Sequence, residues 1–181
     1  PSNATKARVT VRCTDGTGDG RFLADDASLT NRTCLQNLLA NSSLSYESGV
    51  APGSWLSWNS SFGPETNIYL TGPNAWTIWD EGGIYQDVTN GFAVGDQLAF
   101  GYWALQPSSD PFVGTPASQM RILFYNTSGG TIEINWAMPY LMATNMGSSW
   151  SYRTNLDEWV FTHNVSRVPS NTVRIRIEIR Q

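Results

Sequence analysis

The chain carries one strand-forming sequence in two places. Residues 169–181 read Pro-Ser-Asn-Thr-Val-Arg-Ile-Arg-Ile-Glu-Ile-Arg-Gln, and residues 1–13 read Pro-Ser-Asn-Ala-Thr-Lys-Ala-Arg-Val-Thr-Val-Arg-Cys. The two align without a gap at an offset of 168 (169 − 1). Pro1, Ser2, Asn3, Arg8 and Arg12 meet identical residues, Val9 and Val11 meet Ile177 and Ile179, and Lys6 meets Arg174. Both copies alternate apolar and polar residues, the pattern of a strand with one face on a core. A domain needs such a strand once, so the chain reads as one period of a head-to-tail array plus a short overlap.

The rest of the chain is written in the same period. Short apolar runs at 67–70, 77–79, 83–88, 97–104, 120–125, 131–138, 158–164 and 172–180 alternate with turn clusters such as Thr71-Gly72-Pro73-Asn74, Thr89-Asn90-Gly91 and Thr127-Ser128-Gly129-Gly130. No stretch holds a helical period beyond about two turns. The expected fold is all-β, a two-sheet antiparallel sandwich with an N-terminal hairpin arm. The arm covers residues 1–33, with strands at 8–13 and 21–30 around the Gly-rich turn 15–20, and the sandwich body covers 34–181.

Charge narrows the partners. Charged residues make up 14 % and the net charge is −4, which gives nucleic-acid phosphates nothing to pair with. No apolar run approaches the ~20 residues of a membrane-spanning helix. Six tripeptides fit the N-glycan acceptor pattern, at Asn3, Asn31, Asn41, Asn59, Asn126 and Asn164, where about two or three are expected by chance. They point to a secreted, extracellular chain carrying covalent N-glycans. Cys13 and Cys34 are the two cysteines; in that compartment they are expected to pair, closing a loop of about 20 residues with roughly 3 kcal/mol of stabilisation.

Catalysis finds little support. His163 is the one histidine and has no nucleophile or orienting partner in its pattern. Asp80-Glu81 and Asp157-Glu158 are adjacent pairs, and neighbours on a strand point to opposite faces rather than flanking one bond. The chain therefore reads as no enzyme, requiring no cofactor. Trp and Tyr can serve as stacking platforms for sugar rings, with Trp76, Trp79, Tyr85 and Tyr102 as the leading candidates; sandwich core is the competing use. Alternation puts Tyr102 and Trp103 on opposite faces, so one of the two belongs to the core.

A family resemblance extends over most of the chain. Leu38-Leu39-Ala40-Asn41, then Tyr46-Glu47-Ser48-Gly49 and Trp55, resemble the opening of the β-jelly-roll carbohydrate-binding modules typified by families 4 and 22. Gly83-Ile84-Tyr85-Gln86-Asp87-Val88 and Gly95-Asp96-Gln97-Leu98-Ala99-Phe100-Gly101-Tyr102-Trp103 resemble two of their middle strands, and 159–162 with 173–179 resemble the closing ones. The last strand of those modules is missing after Gln181 and present instead at Phe22-Leu23-Ala24-Asp25-Asp26-Ala27-Ser28-Leu29. Two departures are the extra Leu44-Ser45 and Ala27 in place of the usual Val. The resemblance implies a jelly roll, a structural calcium held by Glu47 and Asp25, and an ability to bind polysaccharide.

The leading functional expectation is structural. The arm, through Arg8, Val9, Val11, Phe22 and Leu23, either folds back to close its own sandwich or, as the two strand copies favour, completes the sheet of a second copy of the chain, whose own pattern at that place is Ile175, Ile177 and Ile179. Repetition of that contact gives a head-to-tail fibril. The alternative is a module that binds a polysaccharide through exposed aromatics.

Overall fold

The computed structural model describes residues 7–13, 21–32, 36–44, 54–59, 61–79, 82–113, 117–142, 152–153 and 156–181, with backbone only at 7–13, 21–22, 61–62, 142 and 152–153. Among the described residues there is no helix, and fourteen strands form two sheets of a β-sandwich.

The first sheet holds β1 (Ala7–Cys13), β4 (Leu56–Trp58), β7 (Gly83–Val88), β9 (Ala117–Tyr125), β10 (Thr131–Trp136), β11 (Tyr140–Met142), β12 (Tyr152–Arg153) and β14 (Arg174–Arg180). The second runs β13 (Val160–Arg167), β8 (Gln97–Leu105), β2 (Arg21–Asn31), β6 (Ala75–Trp79), β5 (Ser61–Glu65), with β3 (Gln36–Asn37) beside β2. Pairing is antiparallel except β11 with β12 and β1 with β14. β2 thus lies in the middle of the second sheet, between β8 and β6, as a closing strand of this chain's own sandwich.

The core follows from period-two alternation. Met120, Ile122 and Phe124 of β9 and Ile175, Ile177 and Ile179 of β14 point inward at 0 % exposure, meeting Trp76, Ile78, Phe100 and Tyr102 from the second sheet. Each such side chain contributes roughly 1.5–3 kcal/mol by leaving water. The Tyr102 hydroxyl is satisfied by the Ser118 hydroxyl across the core. On β7 the inward Gln86 ties down the neighbouring loops: it accepts from Ala40 N (2.8 Å) and donates to Ala40 O (2.9 Å) and Ser54 O (3.1 Å).

β2 changes face midway. Asp25 opposes Trp103 and Ser28 opposes Gly101, so one extra residue enters β2, with Asp26 at φ 47°. The bulge moves the inward set from Ala24 to Ala27, Leu29 and Asn31. It also leaves Leu23 on the outer face, where it packs with Ala75, Leu105, Ile68 and Trp159 in a small second core.

Candidate assembly slot

β9 has two hydrogen-bonding edges, as every strand does. One edge is taken by β10, from Tyr125–Thr131 to Arg121–Trp136, and by β11 at Ser118–Leu141. Both copies of the repeated strand address the other edge. Ile122 is the register partner of Val9 and of Ile177; Arg121 of Thr10 and of Glu178; Met120 of Val11 and of Ile179; Gln119 of Arg12 and of Arg180. β1 pairs on its far side with β7, from Ala7–Val88 to Arg12–Gly83, and β14 lies against β7 as well. The position at which β1 and β14 pair with each other is Arg8 with Arg176. Every one of these coincidences has the 168-residue offset of the sequence repeat. The sheet order runs β9-β14-β1-β7, yet β1 pairs with β9 and with β7 at once; with strands about 4.8 Å apart, a gap bridged by one strand on both sides is one strand wide.

The described occupant side chains are those of β14. Ile175, Ile177 and Ile179 fill the core side. On the outer side β14 builds a charged and aromatic ladder. Arg121 donates through its Nη2 to both oxygens of Glu178 at 2.8 and 2.9 Å. Asp87 of β7 pairs with Arg176 (3.1 Å) and Arg174 (3.5 Å). Arg174 lies 3.7 Å over the Tyr125 ring, Arg176 lies 4.6 Å over Tyr85, and Arg121 and Arg180 lie 5.2 and 5.7 Å from the Trp136 ring. Sequence reading gave no role to Arg121, Glu178, Asp87 and Tyr125, and took Trp136 only as a possible stacking ring. They lie on four strands, β7, β9, β10 and β14, and the ladder they form depends on those strands being neighbours.

The sugar-binding row does not form. Trp76 and Tyr102 are fully buried in the core, and Trp79 is half-buried on β6. Tyr85 reaches the outer face, where Arg176 covers its ring. Tyr102 is thus the core member of the Tyr102–Trp103 pair. Trp103 faces outward against Phe161 at 5.0 Å, and Phe161 stacks on the exposed His163 at 5.3 Å.

Asp25 does not fit a calcium ligand. It is fully buried; its Oδ2 accepts from Leu70 N (2.9 Å) and Thr71 N (3.1 Å), and its Oδ1 accepts from Asp26 N (2.8 Å). These bonds make it a clamp on the 66–73 loop. Burial pushes its carboxyl above the usual carboxylate range, against the opposing pull of the Thr71 and Leu70 amides. Glu47 lies outside the described residues, and no group of three or more His, Cys, Asp or Glu able to hold a metal occurs among the described ones.

Of the glycan acceptors, Asn31 is corrected. It is 3 % exposed, and its amide nitrogen donates to Gly91 O (2.9 Å) and to the Asp96 carboxylate (2.7 Å). A sugar on that nitrogen would break both bonds inside the sandwich. Asn59 and Asn164 are exposed, while Asn41 and Asn126 are half-buried at surface turns. The Asn164 amide donates to Trp136 O at 2.7 Å. Asn126 opens the β9–β10 turn, its Oδ1 accepting from Ser128 N, Ser128 Oγ and Gly130 N. Asn3 and Cys34, and with Cys34 the Cys13–Cys34 pairing, lie outside the described residues. Leu23 is buried in the small outer core, and the Phe22 backbone pairs with Ile78.

Comparison with protein-family models, curated proteins and solved structures finds no match to the chain. The resemblance to carbohydrate-binding modules rests on its quoted motifs.

Proposed function

We propose that this chain is an extracellular structural glycoprotein whose copies join head to tail by exchanging strands in the slot between β9 and β7. One observation carries the reading: a single slot is addressed in one register by two strands of the same chain. A chain that supplies two strands for each slot has a surplus strand, and a second copy of the chain offers the same slot. An unpaired strand with an alternating pattern adds readily to a sheet position of another molecule. The contact is heterologous, because a donor strand meets a body rather than another donor strand, and repetition of such a contact propagates as a fibre or a ring. Trp76 and Tyr102, two of the four stacking candidates, are spent on the core, and Arg176 lies over a third, Tyr85, which favours this reading over polysaccharide binding.

The test compares the full chain with one lacking residues 1–13. The deletion stops short of β2, whose Ala24, Ala27 and Leu29 belong to the core. The full chain is expected to form filaments by electron microscopy and to sediment as large species, while the shortened chain stays a folded monomer. Native material should also lose mass on enzymatic removal of N-glycans. Equal behaviour of the two chains would remove β1 as the joint.

A further inference from the structure

The two copies are not equal occupants of the slot. Toward the core, β14 presents Ile175, Ile177 and Ile179, all at 0 % exposure. The 168-residue offset places Ala7, Val9 and Val11 of β1 at the same three positions. Each is smaller than the isoleucine it would replace, and a core leaves a void where a side chain falls short. On the outer side, β14 places Glu178 opposite Arg121 and binds both of its oxygens to that guanidinium. β1 places Thr10 there, and a threonine cannot form a bidentate ion pair. Of the other outward positions, Arg8 with Arg176 and Arg12 with Arg180 are identical, and Lys6 meets Arg174 with the charge kept. Four of the differences between the copies, at 7, 9, 10 and 11 against 175, 177, 178 and 179, therefore favour β14. Its tether favours it too: Val173 N bonds to Tyr125 O at 2.8 Å and Thr172 Oγ1 to Pro169 O at 2.9 Å, so the short link from β13 delivers β14 directly to its own slot.

We propose that β14 is a built-in plug, which holds its own slot against the N-terminal strand of a neighbouring copy and keeps the subunit closed until it is released. This rests on the strand-exchange reading and adds its regulation. Assembly through β1 then requires displacement of a better-fitting strand. The threshold for assembly is written in positions 7, 9, 10 and 11 against 175, 177, 178 and 179. Arg121 is the positioning residue that discriminates the two strands on the outer face, through Glu178 and Thr10.

Amide hydrogen exchange read by mass spectrometry on the full chain tests this, because the occupying strand is protected and the surplus one is not. In the dilute monomer, the 174–180 segment should exchange at least tenfold more slowly than 7–13. A variant that improves only β1 (Ala7→Ile, Val9→Ile, Thr10→Glu and Val11→Ile) leaves β14 and the body intact. In it, protection of 7–13 should rise at least tenfold, and assembly should begin at a lower concentration. A milder variant, Glu178→Thr, should move both readouts the same way. In an Arg121→Ala background, Glu178→Thr should change both readouts less than in the wild type, the Arg180 contact at 3.9 Å being what remains. The plug is overturned if 7–13 is the protected segment in the wild-type monomer, or if the improved β1 changes neither protection nor assembly. If the improved strand becomes protected while the chain stays monomeric at every concentration, the competition stands and the fibril reading falls.

Discussion

Asp25 shows how a single side chain can replace a strand. The run at 67–70 has strand-like composition, yet it forms bends rather than a ladder. The amides of Leu70 and Thr71, which a strand partner would satisfy, bond instead to the Asp25 carboxylate. Because burial raises the folded-state carboxyl above its unfolded value of about 3.9, the native state binds the proton more tightly than the unfolded one. Its contribution is fully present below the unfolded value and is lost as pH rises through the folded one. Asp25→Asn keeps one acceptor oxygen, so its NH2 must meet either the Asp26 N–H or the Leu70 and Thr71 N–H groups, and it should cost about 2 kcal/mol at neutral pH. That gap should widen as pH falls toward about 4, since only the wild type takes up the proton. Urea unfolding of both proteins at the two pH values measures it, and a gap that narrows on acidification would contradict the assignment.

Among the elements, those with strong alternation were legible in the sequence. The run 83–88 coincides with β7, and 97–104, 120–125 and 131–138 fall on β8, β9 and β10 within a few residues. β5 was missed because Phe62-Gly63-Pro64 reads as a turn; proline is tolerated there because β5 is an edge strand. The place of β2 was also missed, because which sheet receives a strand depends on its partners and not on its own alternation. Its bulge hides the pattern further, shifting the inward residues from even to odd positions after Asp25. Some positions are dictated by a neighbouring strand alone. A Cβ on Gly101 would lie 2.6 Å from Thr162 O, 2.9 Å from Phe161 Cζ and 3.0 Å from His163 Cβ. The first of these is backbone and cannot step aside. Gly101→Ala should therefore push β8 from β13 and cost about 1–3 kcal/mol, read as a lower urea midpoint. An unchanged midpoint would mean that β13 sits farther from β8 than this register requires.

For the whole molecule, the repeated strand was legible at once, and its consequence was not. An alignment of 1–13 with 169–181 says that two segments are alike; the pairings of β9 say that they are alternatives. Under the proposed plug, β14 holds the slot and β1 enters one only where β14 has left. This makes the joint between copies chemically addressable. Thr10 and Arg121 face each other across the slot, and opposed residues on antiparallel strands have Cα atoms within the ~4.4–6.8 Å reach of a disulfide. A chain carrying both Thr10→Cys and Arg121→Cys should give, after oxidation, a ladder of covalent multiples on a non-reducing gel. The wild type, with Cys13 and Cys34 alone, should not. Removing Arg121 also takes away the bonds to both Glu178 oxygens, which loosens the plug and favours the exchanged state. Mixing two singly substituted chains should give dimers and nothing larger, because each then offers one half of one joint. A double variant whose new disulfide closes within one chain at every concentration would place β1 in its own sandwich and end the case for assembly through this slot.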